Sequence, residues 1–321
     1  MKPLAILAFI VGAGLTIFLL VRAGLAPVAN ALSSLGILGL IVIAVVHLPI
    51  VATLGAAWWT IGRSPQGPRL LRFIWARAVR DAAAEALPFS QVGGYVIGAR
   101  ALSLTGAAAA SAGVSTLLDL VFEFVAKLPY VLLGLVLLQL AKPAPATLAT
   151  VIGFAVGMFV LAALFRPGAQ ILSRNWMERV IARWPRLAES RQRVTAAFEQ
   201  MTSRRCAISA SVVLHFVCWF AGAGETWLIF HLMGAPVSFA AALVIDSLLG
   251  ALRMISFFVP AAIGVQEGGY VLLCGLFGLS PGAALAFSFA RRARDILIAA
   301  PILFSWQFVE GQALLPSRPK S

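Results

Sequence analysis

The sequence predicts an all-α, polytopic integral membrane protein: about seven to nine transmembrane helices in two internal repeats, each with a Pro/Gly re-entrant motif. Three observations carry that expectation. The 321 residues are 61% hydrophobic with a mean hydropathy of +0.95, and only 12% are charged, against about 25% in soluble domains. Apolar runs near the helical bilayer-crossing length of about 20 residues recur along the whole chain, and the alternating ten-residue segments of a β-barrel are absent. One hexapeptide occurs nearly twice, as QVGGYV from Gln91 and QEGGYV from Gln266.

The first apolar run, Leu4 to Val21 behind Lys2, is longer than a signal-peptide core and reads as a retained first span. Further spans are expected at 35–61, 146–166, 206–233 and 238–258, and two more after the motifs, at about 107–140 and 282–310. The net charge of +13 raises the possibility of nucleic acid, but its placement points elsewhere. Of 25 Lys and Arg, five lie in 63–86 and nine in 166–205, the two long polar connections. That is the positive-inside pattern; it puts both connections and the N-terminus in the cytoplasm and favours contact with anionic lipid. Cys206, Cys218 and Cys274 are odd in number and scattered, so they read as packing residues. His47, His215 and His231 lie too far apart in sequence for a metal motif, and no cofactor is expected.

Segment 68–86, PRLLRFIWARAVRDAAAEA, reads as a helix with Pro68 in its first turn. Arg69, Arg72, Arg77 and Arg80 fall within an arc of roughly 140° at 3.6 residues per turn. Such a helix either lies among lipid headgroups or lines a cavity within the protein. Segment 171–200 is a second basic amphipathic stretch, broken at Pro185, and is expected on the inner membrane surface between the halves.

Aligning Gln91 with Gln266 extends the match. QVGGYVIGARALSLTGAAAA runs beside QEGGYVLLCGLFGLSPGAAL, and Asp119 and Arg294 both fall 28 positions beyond the motif glutamine. The chain therefore reads as one membrane domain over 1–321, with repeat 1 at about 1–166 and repeat 2 at about 167–321. Each motif pairs a proline, which lacks a backbone donor, with two glycines that weaken a helix. Broken backbone at membrane depth persists only where protein or a watery cavity satisfies it. Re-entrant elements are expected at 88–104 and 260–278, shaped by Pro88, Gly93, Gly94, Pro260, Gly264, Gly268 and Gly269; the alternative is that the glycines merely allow close helix packing.

Charges follow each motif. Asp119, Glu123 and Lys127 share one helix face at i, i+4 and i+8. Only 13 uncharged residues follow, to Leu140, so the span must take in part of that face. The second half carries Arg291, Arg292, Arg294 and Asp295, with Arg291 and Asp295 spaced to pair. A charge at mid-bilayer costs at least about 2.5–3.5 kcal/mol and usually faces a bundle interior or an aqueous cavity. Either the acidic face of one half is satisfied by the basic face of the other, or the arginines hold a lipid phosphate or carboxylate; the two are compatible. Glu225, Asp246 and Arg253 are further charges in apolar surroundings. Neither a serine-hydrolase elbow, a zincin motif, a P-loop nor a dinucleotide fingerprint is present, so no enzymatic activity is expected, although Glu267 and Asp119 would be the acids of an intramembrane lipid-modifying reaction.

LPFSQVGGYVIGARAL in the first half, and in the second Pro260, Gly264, Gln266, Glu267, Gly268 and Gly269 with the Arg291–Asp295 run, resemble the flippase-like transmembrane region of lysylphosphatidylglycerol synthases. More narrowly they are similar to the HpnL-type, hopanoid-biosynthesis-associated membrane proteins. Gln91-Val92-Gly93-Gly94 departs from the broad pattern, which places an acid after glycine, and the soluble aminoacyl-transfer domain of the synthases has no counterpart in this sequence. The resemblance implies a lipid transporter of a Gram-negative inner membrane that handles anionic phospholipid or hopanoid-related lipid between leaflets, or else a scaffold for hopanoid biosynthesis enzymes. In the transporter reading Arg100, Arg291, Arg292 and Arg294 attract a headgroup, Gln91, Gln266 and Glu267 line its path, and Asp119, Glu123, Lys127 and Asp295 complete the polar surface.

Overall fold

Helices form every regular element of the computed structural model, which describes residues 14–86, 90–171, 188–256, 259 and 262–314. Among these there are eleven: α1 (Gly14–Ala23), α2 (Leu25–Gly62), α3 (Leu70–Ala86), α4 (Ser90–Leu104), α5 (Ala109–Ala141), α6 (Pro145–Ile171), α7 (Ala188–Thr202), α8 (Arg205–Leu232), α9 (Phe239–Ile255), α10 (Val265–Leu276) and α11 (Pro281–Leu314). Helices α2, α5, α8 and α11 are long and apolar enough to cross a membrane. α2 bends at Gly36, whose φ of 60° only glycine adopts without strain.

The long helices pack with defined directions. α2 and α8 are antiparallel: Thr60 Oγ1 donates to the Ala207 carbonyl, the Cys218 thiol to the Ile50 carbonyl, and His47 meets Glu225. α5 runs parallel to α8, with Asp119 beside His215 and Lys127 beside Trp219. α11 runs parallel to α2: Gly282 lies against Pro27, while Ile302 and Trp306 pack on the cluster around Trp58. Lipid tails are as apolar as these side chains, so association rests on close van der Waals fit and buried polar bonds. The Trp58 and Phe73 rings meet edge-on at 5.6 Å, and Phe230 stacks on Phe287 at 4.3 Å.

Between the long helices lie two hairpins of short ones. α3 and α4 are antiparallel: Arg72 donates to the Thr105 carbonyl, Gly98 sits on Arg80, and Gly94 sits on Ala84 and the Arg80 carbonyl. α9 and α10 pack through Gly269, which faces Leu249 and Leu252. At 1.5 Å per residue, α3 and α9 extend about 25 Å, α4 about 22 Å and α10 about 18 Å, short of the roughly 30 Å hydrocarbon core. The expected full span at 238–258 is thus a 17-residue helix ending at Ile255.

The glycine pairs act differently from the expectation that they break a helix. QVGGYV lies inside continuous α4, and QEGGYV opens α10 behind Gly264 (φ 80°). The second glycine of each pair is where the hairpin partner approaches: a Cβ on Gly94 would stand 2.8 Å from the Arg80 carbonyl oxygen, and one on Gly269 2.6 Å from Leu252. Helical hydrogen bonding tolerates both glycines, and close packing gains from the missing side chains. Pro88, Pro185 and Pro260 lie outside the described residues. α3 also departs from the headgroup alternative. Arg69 and Arg72 are exposed, but Arg77 and Arg80 are buried with Phe73, Ala76 and Val79. α7 packs Ala197 and Met201 on Val114, Leu118 and Ile61.

Candidate functional site: a charged cavity between two hairpins

The ends of the two hairpins meet. Glu85, next to the last residue of α3, accepts a hydrogen bond from Arg253 near the end of α9 at 2.5 Å. Around this pair opens a cavity of about 670 Å³ lined by residues of α2, α3, α4, α5, α8, α9 and α11. Five cationic and six acidic side chains face it, almost all engaged with one another.

On the α3–α5 side, Arg77 and Arg80 clamp two carboxylates. Arg80 Nη1 donates to Asp119 Oδ2 at 2.7 Å and its Nη2 to Glu123 Oε2 at 2.7 Å; Arg77 reaches both acids and its own i+4 neighbour Asp81. Asp119 also faces His215 Nε2 at 3.1 Å. Helical spacing explains the fit: acids four apart on α5 oppose arginines three apart on α3. The Arg80 guanidinium further rests 4.8 Å from the Tyr95 ring. Three carboxylates, Asp81, Asp119 and Glu123, surround the two guanidiniums.

On the α8–α9–α11 side, Arg291 donates to Asp246 (3.1 Å) and to the Tyr270 hydroxyl (3.0 Å), and Asp246 also accepts from Tyr130 and Thr226. Arg294 bridges Glu225 at 2.5 Å and its neighbour Asp295 at 2.6 Å, while Glu225 holds His47. Buried ions survive when they are paired, and each carboxylate and guanidinium named here has at least one ion-pair partner. Lys127 differs. Its ammonium lies 3.9 Å from the centre of the Trp219 ring and makes no hydrogen bond or ion pair among the described residues.

Glu267 sits in a separate knot. It is fully buried, accepts from the Gly264 N–H at 2.7 Å and the Ser288 hydroxyl at 2.9 Å, and pairs with Arg292 at 2.8 Å. Gln266 donates to the same Ser288. This ties the start of α10 to α11 and caps the buried N-terminus of α10.

Of the expected site residues, Glu123, Lys127, Arg291, Arg294 and Asp295 line the cavity. Asp119 stands behind its wall; Gln266, Glu267 and Arg292 stand outside its lining. Arg100 is half-exposed on α4, pairs with Glu310 of α11 at 2.9 Å and is not among the residues that line the cavity. The Gln91 side chain lies outside the described residues. Two expected pairings also fail. Asp119 and Glu123 bind arginines of their own half, and Arg291 binds Asp246 instead of Asp295, because α3 and α9 bring closer partners than the i+4 neighbour. Sequence reasoning placed Arg77 and Arg80 only on a helix with a cavity-lining alternative, and gave Glu85, His47 and His215 no role in the site. The signal for the arginines was there: two acids four apart inside a span demand two cations at helical spacing, and Arg77 and Arg80 have it.

Residues 5–302 match the model of the lysylphosphatidylglycerol synthase TM region. The chain belongs to that family. No curated protein and no solved structure matches it. Membership agrees with a membrane-embedded protein with a lipid-related role.

Proposed function

We propose that this member of the lysylphosphatidylglycerol synthase TM region family is a flippase-like transporter that passes a lipid headgroup between leaflets of the bacterial inner membrane while the tails stay in lipid. The observation that carries the reading is the charged cavity at the meeting point of two hairpins. α2–α3–α4–α5 and α8–α9–α10–α11 follow the same order of long, short, short, long, and the 175-residue offset between Gln91 and Gln266 superposes them closely in sequence. Their long members are antiparallel, which fits inverted repeats with a site at the interface. The α3–α4 hairpin begins beside basic residues Arg63, Arg69 and Arg72, so it enters from the cytoplasmic side; α9–α10 then enters from the opposite side. In this reading six segments cross fully (the N-terminal span ending in α1, then α2, α5, α6, α8 and α11), and the hairpins are the re-entrant elements. A hopanoid-related lipid as the associated class follows from the resemblance of PFSQVGG and GVQEGG.

The test is transport by the purified protein in proteoliposomes, read as loss of fluorescence when dithionite reaches tail-labelled lipid. Protein alone should make inner-leaflet lipid accessible. Glu85→Arg should slow this at least about tenfold by setting like charges at the hairpin tips, and the double variant Glu85→Arg/Arg253→Glu should restore it. No movement by the purified protein, together with its co-purification with hopanoid biosynthesis enzymes, would replace transport with the scaffold reading.

A further inference from the structure

We infer that the cavity takes a zwitterionic headgroup, a phosphate diester carrying an amine, and that Lys127 is the residue that binds its phosphate. The inference rests on the lipid-handling reading of the same cavity and adds the chemistry of what enters.

Two donors in the wall lack an acceptor among the described residues. Lys127 is only 9% exposed, yet its ammonium makes no hydrogen bond or ion pair among the described residues; it lies on the face of Trp219, with the carboxylates of Glu123 and Asp246 acting on it only from beyond contact distance. An aromatic face offsets part of the cost of a buried ammonium, and the remainder calls for an anion. The indole N–H of Trp219, itself a lining residue, is buried with no acceptor among the described residues. Gly250 keeps the seat open: a Cβ there would stand 2.9 Å from Lys127 Cε and 3.0 Å from Nζ. Every other cation on the wall already holds a carboxylate, Arg77 on Asp81, Arg253 on Glu85, Arg291 on Asp246 and Arg294 on Glu225. An incoming phosphate therefore finds its free donor at Lys127, with the unpaired Trp219 N–H buried behind it.

Charge balance selects the rest of the headgroup. Five cations face six acids in the empty wall. Once a phosphate engages Lys127, the acids exceed the remaining arginines by two. A second anionic charge on the ligand meets that surplus as repulsion, whereas an amine meets it as attraction, and in a low-dielectric cavity such differences are amplified. Asp81 and Glu85, whose side chains are 37% and 30% exposed, are the acids an amine reaches without displacing a buried pair.

Calorimetric titration of the purified full chain in an uncharged maltoside detergent tests this, with four probes: dihexanoyl phosphatidylethanolamine, dihexanoyl phosphatidylglycerol, dihexanoylglycerol and inorganic phosphate. Phosphatidylethanolamine should bind and dihexanoylglycerol should not. Lys127→Gln should weaken the phosphatidylethanolamine affinity about ten- to a hundredfold, the worth of a charge-assisted bond, and Lys127→Arg should keep most of it. Gly250→Ala, which leaves every charge in place and crowds the ammonium, should weaken it severalfold and serves if Lys127→Gln does not fold. Inorganic phosphate binding as tightly as the lipid would assign the site to a free anion. Equal affinity in wild type and Lys127→Gln, or tighter binding of phosphatidylglycerol than of phosphatidylethanolamine, would overturn the inference. Lipid movement that survives Lys127→Gln undiminished sinks this proposal and leaves transport standing; Lys127-dependent binding without movement does the reverse.

Discussion

Arg80→Met and Asp119→Leu, made singly and together, probe what the buried clamp contributes to stability. Asp119 is fully buried and takes Arg80 at 2.7 Å, Arg77 at 3.3 Å and His215 at 3.1 Å. Removing one partner strands the other, at a cost of about 3–5 kcal/mol for a buried pair, whereas replacing both by apolar groups of similar volume is often neutral. Here each survivor keeps a second partner: Arg80 still has Glu123 at 2.7 Å, and Asp119 still has Arg77 and His215. Each single variant should therefore fall at the low end, about 3 kcal/mol, and the double variant should recover about 2–3 kcal/mol relative to their sum. The assay is unfolding by SDS from mixed micelles, followed by tryptophan fluorescence. Trp58 is a suitable reporter, since its indole bonds Ser115 and its ring lies 5.7 Å from the Arg80 guanidinium. If the two single losses simply add, the pair is not a coupled unit and the account of the clamp is wrong.

Two further outcomes separate packing from chemistry. Gly269→Ala should lower stability by about 1–3 kcal/mol through overpacking, because its Cβ would meet Leu252 at 2.6 Å, while Gly268→Ala, with its nearest neighbour at 4.0 Å, should unfold at the same SDS concentration as wild type. Arg100→Ala should leave both lipid transport and SDS resistance at wild-type levels, because the residue is half-exposed and paired outside the cavity; a transport defect would put it back in the lipid path.

The long helices were legible because bilayer crossing imposes a length and a polarity that hydropathy reads directly. Four of the seven expected spans, 35–61, 107–140, 206–233 and 282–310, overlap helices long and apolar enough to cross a membrane; 238–258 misled because its apolar run continues past Ile255, where the helix stops. The face of Asp119, Glu123 and Lys127 was equally legible, since helical spacing alone aligns it. Its partners were not. Arg77 and Arg80 sit in a segment of low hydropathy that, by composition, resembles a helix on the membrane surface, and only its packing on α2, α4 and α11 takes it inside. Glu267 misled in the opposite way: an acid beside two glycines drew attention as chemistry, while three hydrogen-bonding partners hold it as a cap and strut.

The matched positions Asp119 and Arg294 explain why opposite signs belong in the two proposed repeats. Both face α8, where Asp119 meets His215 and Arg294 meets Glu225. Had the repeats kept the same sign there, α8 would bury two like charges, with one more uncompensated ion at a cost of several kcal/mol. With opposite signs, one helix serves both halves. The clusters close upon themselves, and the wall carries a nearly balanced field. A balanced wall gives no strong general pull on anions, so recognition falls to the donors that are not already engaged. In the proposed headgroup site the unengaged donor is Lys127, whereas Arg291 and Arg294 of the 291–294 run already hold Asp246 and Glu225 in the cavity wall.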